Sequence, residues 1–183
     1  ESLMYNGVTL QSGTTHYFGQ KFSKAYDIKF VNRDNQFEYA YQTSWGVSNR
    51  MIGALIMIHG DDAGLVLPPR IAPIQVVIIP IGKDERVLSL ANQYKEELTK
   101  NNFGVIVDDS EKTPGFKFAE AEVNGIPLRI EIGPRDLENN QVTLVRRDNF
   151  EKIPQNIDDD ININKIKKSS LRRSDRKSTR LNS

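Results

Sequence analysis

The chain has 183 residues, of which 38% are hydrophobic and 27% are charged, a length and composition typical of a globular protein with one or two small domains. It contains no cysteine, which excludes disulfides and thiolate metal sites, and its longest apolar run is about half of the ~20 residues that a membrane helix needs. Residues 165–183 hold eight of the 25 Lys and Arg residues and one of the 24 acidic ones, so residues 1–164 carry a net charge of −6 and nucleic-acid binding cannot be argued from charge alone.

The first part of the chain, residues 1–67, mixes short strand and helix patterns and predicts an α+β unit. A short strand is expected around GVTLQ, and the following run GTTHYFGQKFSKAY spaces Phe18, Phe22 and Tyr26 four residues apart, as on one face of a helix. Two alternating runs, DIKFVN and QFEYAYQT, are joined by the turn residues RDN and predict an antiparallel hairpin.

A turn at Trp45–Gly46 is expected to lead into a helix over 48–59, with Ser48 as its N-cap. The predicted helix ends at His59, and Asp61–Asp62 follow at a spacing that suggests metal ligands. A structural cap is the preferred interpretation, because no second histidine lies nearby. No metal site is predicted. The buried stripe of the helix is predicted to comprise Met51, Ala54, Leu55 and Ile58.

The stretch GDDAGLVLPPRIAP interrupts the pattern with glycine and proline and predicts a domain boundary. After it, IQVVIIPI and FGVIVD indicate buried strands, DERVLSLANQYKEELTKNN an amphipathic helix, GFKFAEAEVNG a short helix, and PLRIEIG and QVTLVRR further strands. This alternation predicts an α/β unit with a mostly parallel sheet. Beyond about residue 150 the composition is polar and charged, which predicts poor order.

Three stretches together resemble prolyl-tRNA synthetases of the branch shared by archaea, eukaryotes and part of the bacteria: LQSGTTHYFGQKFSKAYDIKF, YQTSWGVSNRMIGALIMIHGDDAGLVLPPRIAPIQVVIIPI and GIPLRIEIGPRDLENNQVTLVRRD. The resemblance covers roughly residues 1–150. It implies the C-terminal part of a class II synthetase antiparallel catalytic domain in 1–70, followed by an α/β anticodon-binding domain in 71–164. The basic tail 165–183 matches nothing expected of the family and is expected to be disordered or non-native.

The resemblance also implies an ATP and proline site in the first part. Arg50 corresponds to the arginine of the third class motif, which holds the γ-phosphate of ATP, and is the expected catalytic residue. Considered alone, Arg50 would be an ordinary surface arginine at the start of a helix. The expected ATP-binding residues are Gln11, Thr14, Ser48 and Arg50, with Mg²⁺ as the accompanying ion. The expected proline-binding residues are His16, Ser44, Trp45 and Gly46.

Reading a proline anticodon requires groups that recognise guanine. An unpaired guanine offers N–H donors on one edge and acceptors on the other, so a reader needs carboxylates, Arg or Lys, and preferably an aromatic platform. The stretch FAEAEVNGIPLRIEIGPRD supplies all three, at positions that the family also implies. The alternative for each residue is a solvated charge on a helix or loop. The predicted anticodon-binding residues are Phe118, Glu122, Arg129, Arg135 and Asp136.

Two functions remain open at this level. The first is ATP-dependent attachment of proline to its tRNA through a prolyl-adenylate, by a homodimeric cytoplasmic enzyme of which this chain is an internal piece, inactive by itself because the first two class motifs lie upstream. The second is a non-catalytic tRNA-binding module derived from a synthetase. The combination of Gln11, Thr14, His16, Trp45 and Arg50 favours the enzyme, because a pure tRNA binder does not need an arginine for a γ-phosphate.

Overall fold

The computed structural model describes residues 1–4 and 6–158 of the chain. The predictions for residues 159–164 and for the basic tail therefore lie outside the described residues. The chain divides into two units, Glu1–Ile58 and His59–Ser183. Within the described residues, no helix is long and apolar enough to cross a membrane.

The first unit consists of small two-stranded antiparallel sheets and short helices. β1 pairs with β2, β3 with β6, and β4 with β5. The elements are β1 (Ser2–Leu3), β2 (Thr9–Leu10), β3 (Gly13–Gly19), α1 (Lys21–Ala25), β4 (Lys29–Val31), β5 (Phe37–Tyr39), β6 (Gln42–Val47) and α2 (Arg50–His59).

The predicted hairpin is confirmed as the β4–β5 pair, with Asn35 at φ 60° in its turn. The helix expected from the spacing of Phe18, Phe22 and Tyr26 is correct only in its second half, because residues 13–19 form β3 and pair with β6. The three rings nevertheless lie in a row, with centroids 4.7 Å and 6.5 Å apart. The four-residue spacing therefore predicts correctly that the rings lie close together, but it does not predict the conformation of the backbone.

The predicted turn at Trp45–Gly46 is wrong, since both residues lie in β6 and pair with β3. The following helix is confirmed as α2, whose first amide, on Arg50, lies 3.4 Å from the Ser48 hydroxyl. Its predicted buried stripe holds only in part. Ala54 is buried, whereas 42% of Met51 is exposed.

The second unit contains a five-stranded sheet in the order β11-β10-β9-β7-β8. β7 is parallel to both β8 and β9, whereas β10 is antiparallel to both β9 and β11. The sheet is thus mixed rather than mostly parallel, because residues 133–140 and 147–151 are too few for the crossover that parallel pairing needs. The elements are β7 (Val76–Pro80), α3 (Glu85–Lys100), β8 (Val105–Val107), α4 (Pro114–Val123), β9 (Leu128–Ile132), α5 (Pro134–Glu138), β10 (Gln141–Arg146) and β11 (Lys152–Asn156).

The two faces of this sheet bury different sets of side chains. On one face Val76 and Ile78 join the core beneath α3, and on the other Val77 and Ile79 pack with Ala121 of α4. Strand β7 is therefore buried on both faces, as its continuous apolar run predicts.

Three predictions for this unit need correction. The helical spacing of the sequence predicts a buried stripe of Val87, Leu88, Ala91, Tyr94 and Leu98 on α3, but Leu90 is buried in place of Leu88. Strand β8, expected to be buried, lies at the edge of the sheet and leaves Ile106 37% exposed. Residues 152–156, expected to be poorly ordered, form β11 because β10 supplies a partner for their backbone groups.

Tyr94, on the buried face of α3, provides a pH test of this core. Burial first, and then the carboxylates of Glu97 and Asp158, raise the pKa of its hydroxyl from 10.0 to about 12. The folded state disfavours the ionised form of Tyr94. The stabilisation that comes from burying the neutral hydroxyl is therefore present in full below pH ~10 and is lost as the pH rises towards 12. Between pH 9 and pH 11.5, the wild type should lose about 2 kcal/mol more free energy of unfolding than Tyr94→Phe does. Denaturant unfolding of both proteins measures this, and equal losses would contradict the assignment.

Candidate functional site

An open cleft in the first unit is formed where the chain enters β3 and leaves β6. Its lining contains hydroxyl, amide and guanidinium groups and no carboxylate. The lining residues are Gln11, Ser12, Gly13, Thr14, Gly46, Val47, Ser48 and Arg50. All four residues predicted to bind ATP are therefore brought together in one cleft.

Arg50 is the only cation among these lining residues. It is the first residue of α2, and its Nη1 donates a hydrogen bond to Oε1 of Gln11 at 3.1 Å. The start of a helix carries unpaired backbone N–H groups and a partial positive charge, which add to the charge of the guanidinium. This end of the cleft is therefore suited to an anion.

The two glycines in the cleft keep the β3 and β6 backbones accessible. A Cβ atom at Gly46 would lie 3.3 Å from the Thr14 hydroxyl oxygen, and one at Gly13 would lie 3.2 Å from the carbonyl oxygen of Gly46. Side chains at either position would crowd the floor of the cleft. Small residues here leave room for a ligand beside the Thr14 hydroxyl.

The residues predicted to bind proline do not all share one face of the β3–β6 ladder. His16 pairs with Ser44, and Thr14 pairs with Gly46, which places these four positions on one face. Trp45 pairs with Thr15 on the opposite face, where 74% of its surface is exposed. The ring that stacks on His16, at 5.5 Å between centroids, is that of Phe18, which the sequence analysis did not select.

In the second unit, Phe118, Glu122 and Arg129 form one partly buried cluster. Arg129 is 7% exposed, and its guanidinium carbon lies 4.4 Å from the centroid of the Phe118 ring. Its Nη1 donates to Glu122 Oε1 at 2.8 Å, and its Nε donates to Glu131 Oε1 at 2.9 Å. The side chain of Glu122 remains 27% exposed. The structure thus brings three of the five predicted anticodon residues into contact.

The other two, Arg135 and Asp136, lie on α5 and form no hydrogen bond or ion pair with this cluster within the described residues. Asp136 accepts a hydrogen bond from the backbone N–H of Gly133 at 2.9 Å through its Oδ2, so it caps the N-terminus of α5. Arg135 is exposed. Asp136 therefore has a structural role that is sufficient to explain its presence.

Glu131 also belongs to this cluster, although it is not among the predicted anticodon-binding residues. It lies two residues after Arg129 on β9, and alternate residues of a strand share a face, so the pattern RIE already indicated the pair. The partner of a second buried arginine, Arg147, could not be found in this way. It is Asp61, which lies 86 positions earlier in the chain.

Similarity to known proteins extends over both units of the chain. A family model described as "Anticodon binding domain" matches residues 75–169. The chain is 58% identical over 159 residues to a proline–tRNA ligase from Ruminiclostridium cellulolyticum, covering 86% of this chain and 33% of that protein. It is 56% identical over 163 residues to the one from Mesoplasma florum, covering 89% of this chain and 34% of that protein. The chain thus spans about a third of the length of the curated relatives that it matches.

Among solved structures, the chain is similar to the prolyl-tRNA synthetase from Cryptosporidium parvum complexed with halofuginone and AMPPNP. The sequence identity is 42% and the TM-score is 0.82, over 90% of this chain and 35% of that chain. A second structure of the same protein, complexed with L-proline and AMP, matches with 40% identity and a TM-score of 0.79, over 91% of this chain and 39% of that chain.

Proposed function

Because the chain belongs to the family of anticodon-binding domains, we propose that it is part of an enzyme that attaches proline to its tRNA through a prolyl-adenylate. The observation that carries the proposal is the 58% identity to a proline–tRNA ligase, which extends over 86% of the chain and so includes both units. In this proposal residues 1–70 belong to the catalytic domain and residues 71–164 read the anticodon.

The cleft around Arg50 is proposed to hold the triphosphate of ATP, which supplies the activated phosphate for adenylate formation. Its guanidinium, amide and hydroxyl groups fit a polyanion. Since the eight lining residues include no carboxylate, Mg²⁺ would be held through phosphate oxygens rather than by this part of the cleft. Arg50 would neutralise the charge that develops on the departing pyrophosphate through two parallel N–H donors. Gln11, already bonded to Arg50, would orient the guanidinium.

Proline is proposed to bind on the face of β3 and β6 that carries His16 and Ser44. Gly46 on that face allows close approach to the backbone. The role of Trp45 as an apolar wall of the proline site stays a prediction. Its side chain projects from the face of the ladder opposite to His16 and Ser44.

Anticodon reading is proposed to centre on the Phe118–Glu122–Arg129 cluster. Nη1 of Arg129 donates to Oε1 of Glu122, and Oε2 accepts no hydrogen bond within the described part of the chain. Glu122 Oε2 would accept from the N–H edge of a guanine, with the base beside the Phe118 ring. Arg129 would hold both groups in place and offer its Nη2 to an acceptor. Arg135 is proposed to contact phosphate and Asp136 to read a second guanine, although it also caps α5.

The remaining features of the proposal concern the longer protein. We place it in the cytoplasm, as a homodimer, with tRNA and proline as partners, and in the branch shared by archaea, eukaryotes and part of the bacteria. The relatives compared above come from bacteria and from Cryptosporidium parvum. The 183-residue chain alone is proposed to lack aminoacylation activity.

Substitution of Glu122 tests the anticodon assignment. Glu122→Gln should relax discrimination between the proline anticodon and variants that lack one guanine by ~1–3 kcal/mol, because the amide replaces one acceptor by a donor. Binding of these RNAs to the 183-residue chain measures the effect. The matched control is Glu120→Gln on the same helix, where the carboxylate pairs with Lys112 instead. If both variants discriminate like the wild type, Glu122 does not read a base.

A further inference from the structure

Arg147 is a buried arginine that joins three segments of the second unit. Its side chain is only 2% exposed. The Nη1 and Nη2 atoms donate to the two carboxylate oxygens of Asp61 at 2.8 Å and 2.6 Å, and Nε donates to the backbone carbonyl of Glu122 at 2.9 Å. This is a two-point guanidinium–carboxylate pair, with one further bond to the last turn of α4.

The segment that carries Asp61 lies directly against the end of α4. The backbone N–H groups of Leu65 and Leu67 donate to the carbonyls of Val123 and Gly125 at 3.1 Å and 3.3 Å. The approach is so close that a Cβ atom at Gly125 would lie 2.5 Å from that of Leu65. Gly125 has a φ of +68°, which glycine adopts most readily. Asp61 is therefore held beside the helix that carries Phe118 and Glu122.

Glu122 consequently lies between two arginines. Its backbone carbonyl binds Arg147, and its carboxylate binds Arg129. A small cavity between them is lined by Glu122, Arg129, Arg147 and five further residues, and Glu122 supplies the only carboxylate of that lining. A protein is strongly destabilised when a buried guanidinium loses its charged partner. If Asp61 were neutral, the carboxylate that shares this cavity lining with Arg147 would be that of Glu122.

We propose that Asp61 is a positioning residue for anticodon recognition. By neutralising Arg147, it keeps the Glu122 carboxylate directed to Arg129 and leaves its second oxygen for the base. The inference rests on the proposed function, since it assumes that Glu122 reads the anticodon. It assigns a role in specificity to a residue that does not itself contact RNA.

The test is RNA discrimination by the 183-residue chain. Wild type, Asp61→Asn, Asp61→Glu and Arg147→Lys are each titrated with the anticodon stem-loop of a proline tRNA and with the same stem-loop lacking one anticodon guanine. We expect Asp61→Asn and Arg147→Lys to lower the ratio of the two affinities about 3- to 10-fold. Asp61→Glu, which keeps the carboxylate, should restore most of it. The control is Asp62→Asn, which removes an exposed acid next to the site and should leave the ratio unchanged.

A double-mutant cycle separates positioning from a general loss of stability. If Asp61 acts through Glu122, then Asp61→Asn should change the ratio very little in a protein that already carries Glu122→Gln. Additive losses would overturn the proposal, as would an unchanged ratio in folded Asp61→Asn. Circular dichroism at the titration temperature checks folding. If Asp61→Asn does not fold, Arg147→Lys with and without Glu122→Gln completes the same cycle. If the wild-type chain itself does not discriminate, the proposed anticodon function fails first.

Discussion

Replacing Arg50 by alanine, in a full-length proline–tRNA ligase that carries this sequence, should slow adenylate formation roughly 10²–10³-fold. The reason is that a positioned positive charge, worth most where charge develops in the transition state, would be lost from the end of the cleft. Proline-dependent exchange of pyrophosphate into ATP measures this step without tRNA. The affinity for tRNA should remain nearly unchanged, because the proposed anticodon residues lie in the second unit.

A matched control for this prediction is Arg33→Ala. Arg33 is an exposed arginine in the same unit, in the turn between β4 and β5, and does not line the cleft. Its loss should leave pyrophosphate exchange at the wild-type rate. Normal exchange with weakened tRNA binding in Arg50→Ala would show that Arg50 contacts tRNA instead of the triphosphate.

Gln11→Ala provides an intermediate case. The Gln11 amide is the acceptor for Arg50 Nη1, so its loss should impair exchange less than the loss of the guanidinium itself. The order of the three variants therefore distinguishes a charge effect from a general disturbance of the cleft.

Starting the anticodon-binding unit at residue 71 instead of residue 59 should lower its free energy of unfolding by about 3 kcal/mol or more. Removal of one partner from a buried ion pair typically costs ~3–5 kcal/mol, and Arg147 would lose Asp61. The truncation would also remove the backbone hydrogen bonds from Leu65 and Leu67 and the buried side chain of Val66. Denaturant unfolding of residues 59–164 and 71–164 measures the difference.

The single substitution Asp61→Ala in residues 59–164 shows how much of this loss comes from the ion pair. Asp62→Ala serves as its control, since this neighbouring residue is exposed. If residues 71–164 are as stable as residues 59–164, the segment before residue 71 contacts the unit but does not stabilise it. That outcome would favour the domain boundary near residue 70 that the glycine- and proline-rich stretch predicts.

Much of the second unit could be predicted because its signals are local. The apolar run of β7 predicts a strand with both faces covered, and the structure buries all five residues of Val76–Pro80. Asp84 precedes the apolar stripe of α3, and its side chain accepts from the N–H of Arg86, as an N-cap does.

In the first unit, the residues predicted to bind ATP lie together in one cleft, because Gln11 and Thr14 lie near the start of β3 while Arg50 begins α2.

The local sequence patterns gave wrong predictions where one pattern was compatible with two backbone conformations. Phe18, Phe22 and Tyr26 are spaced as on a helix, yet Phe18 lies in a strand and the other two follow it around α1. Residues 152–156 look polar and unstructured by composition, yet they pair with residues 141–145 of β10. In both cases the backbone hydrogen bonds to a partner strand outweighed the preference of the side chains.

The sequence by itself therefore determined the elements with clear apolar patterns, such as β7 and α3. The groups that it indicates for binding a polyanion or a guanine stay predictions. Apart from the β4–β5 hairpin and the Arg129–Glu131 pair, only the tertiary structure decided which strands pair, in which direction, and which charges meet. Backbone N–H and C=O groups are the same at every residue, so the choice of partner is not written in any short stretch. Asp61 and Arg147 are far apart in the chain, and their pairing depends on the fold that brings a loop, a helix end and a strand end together.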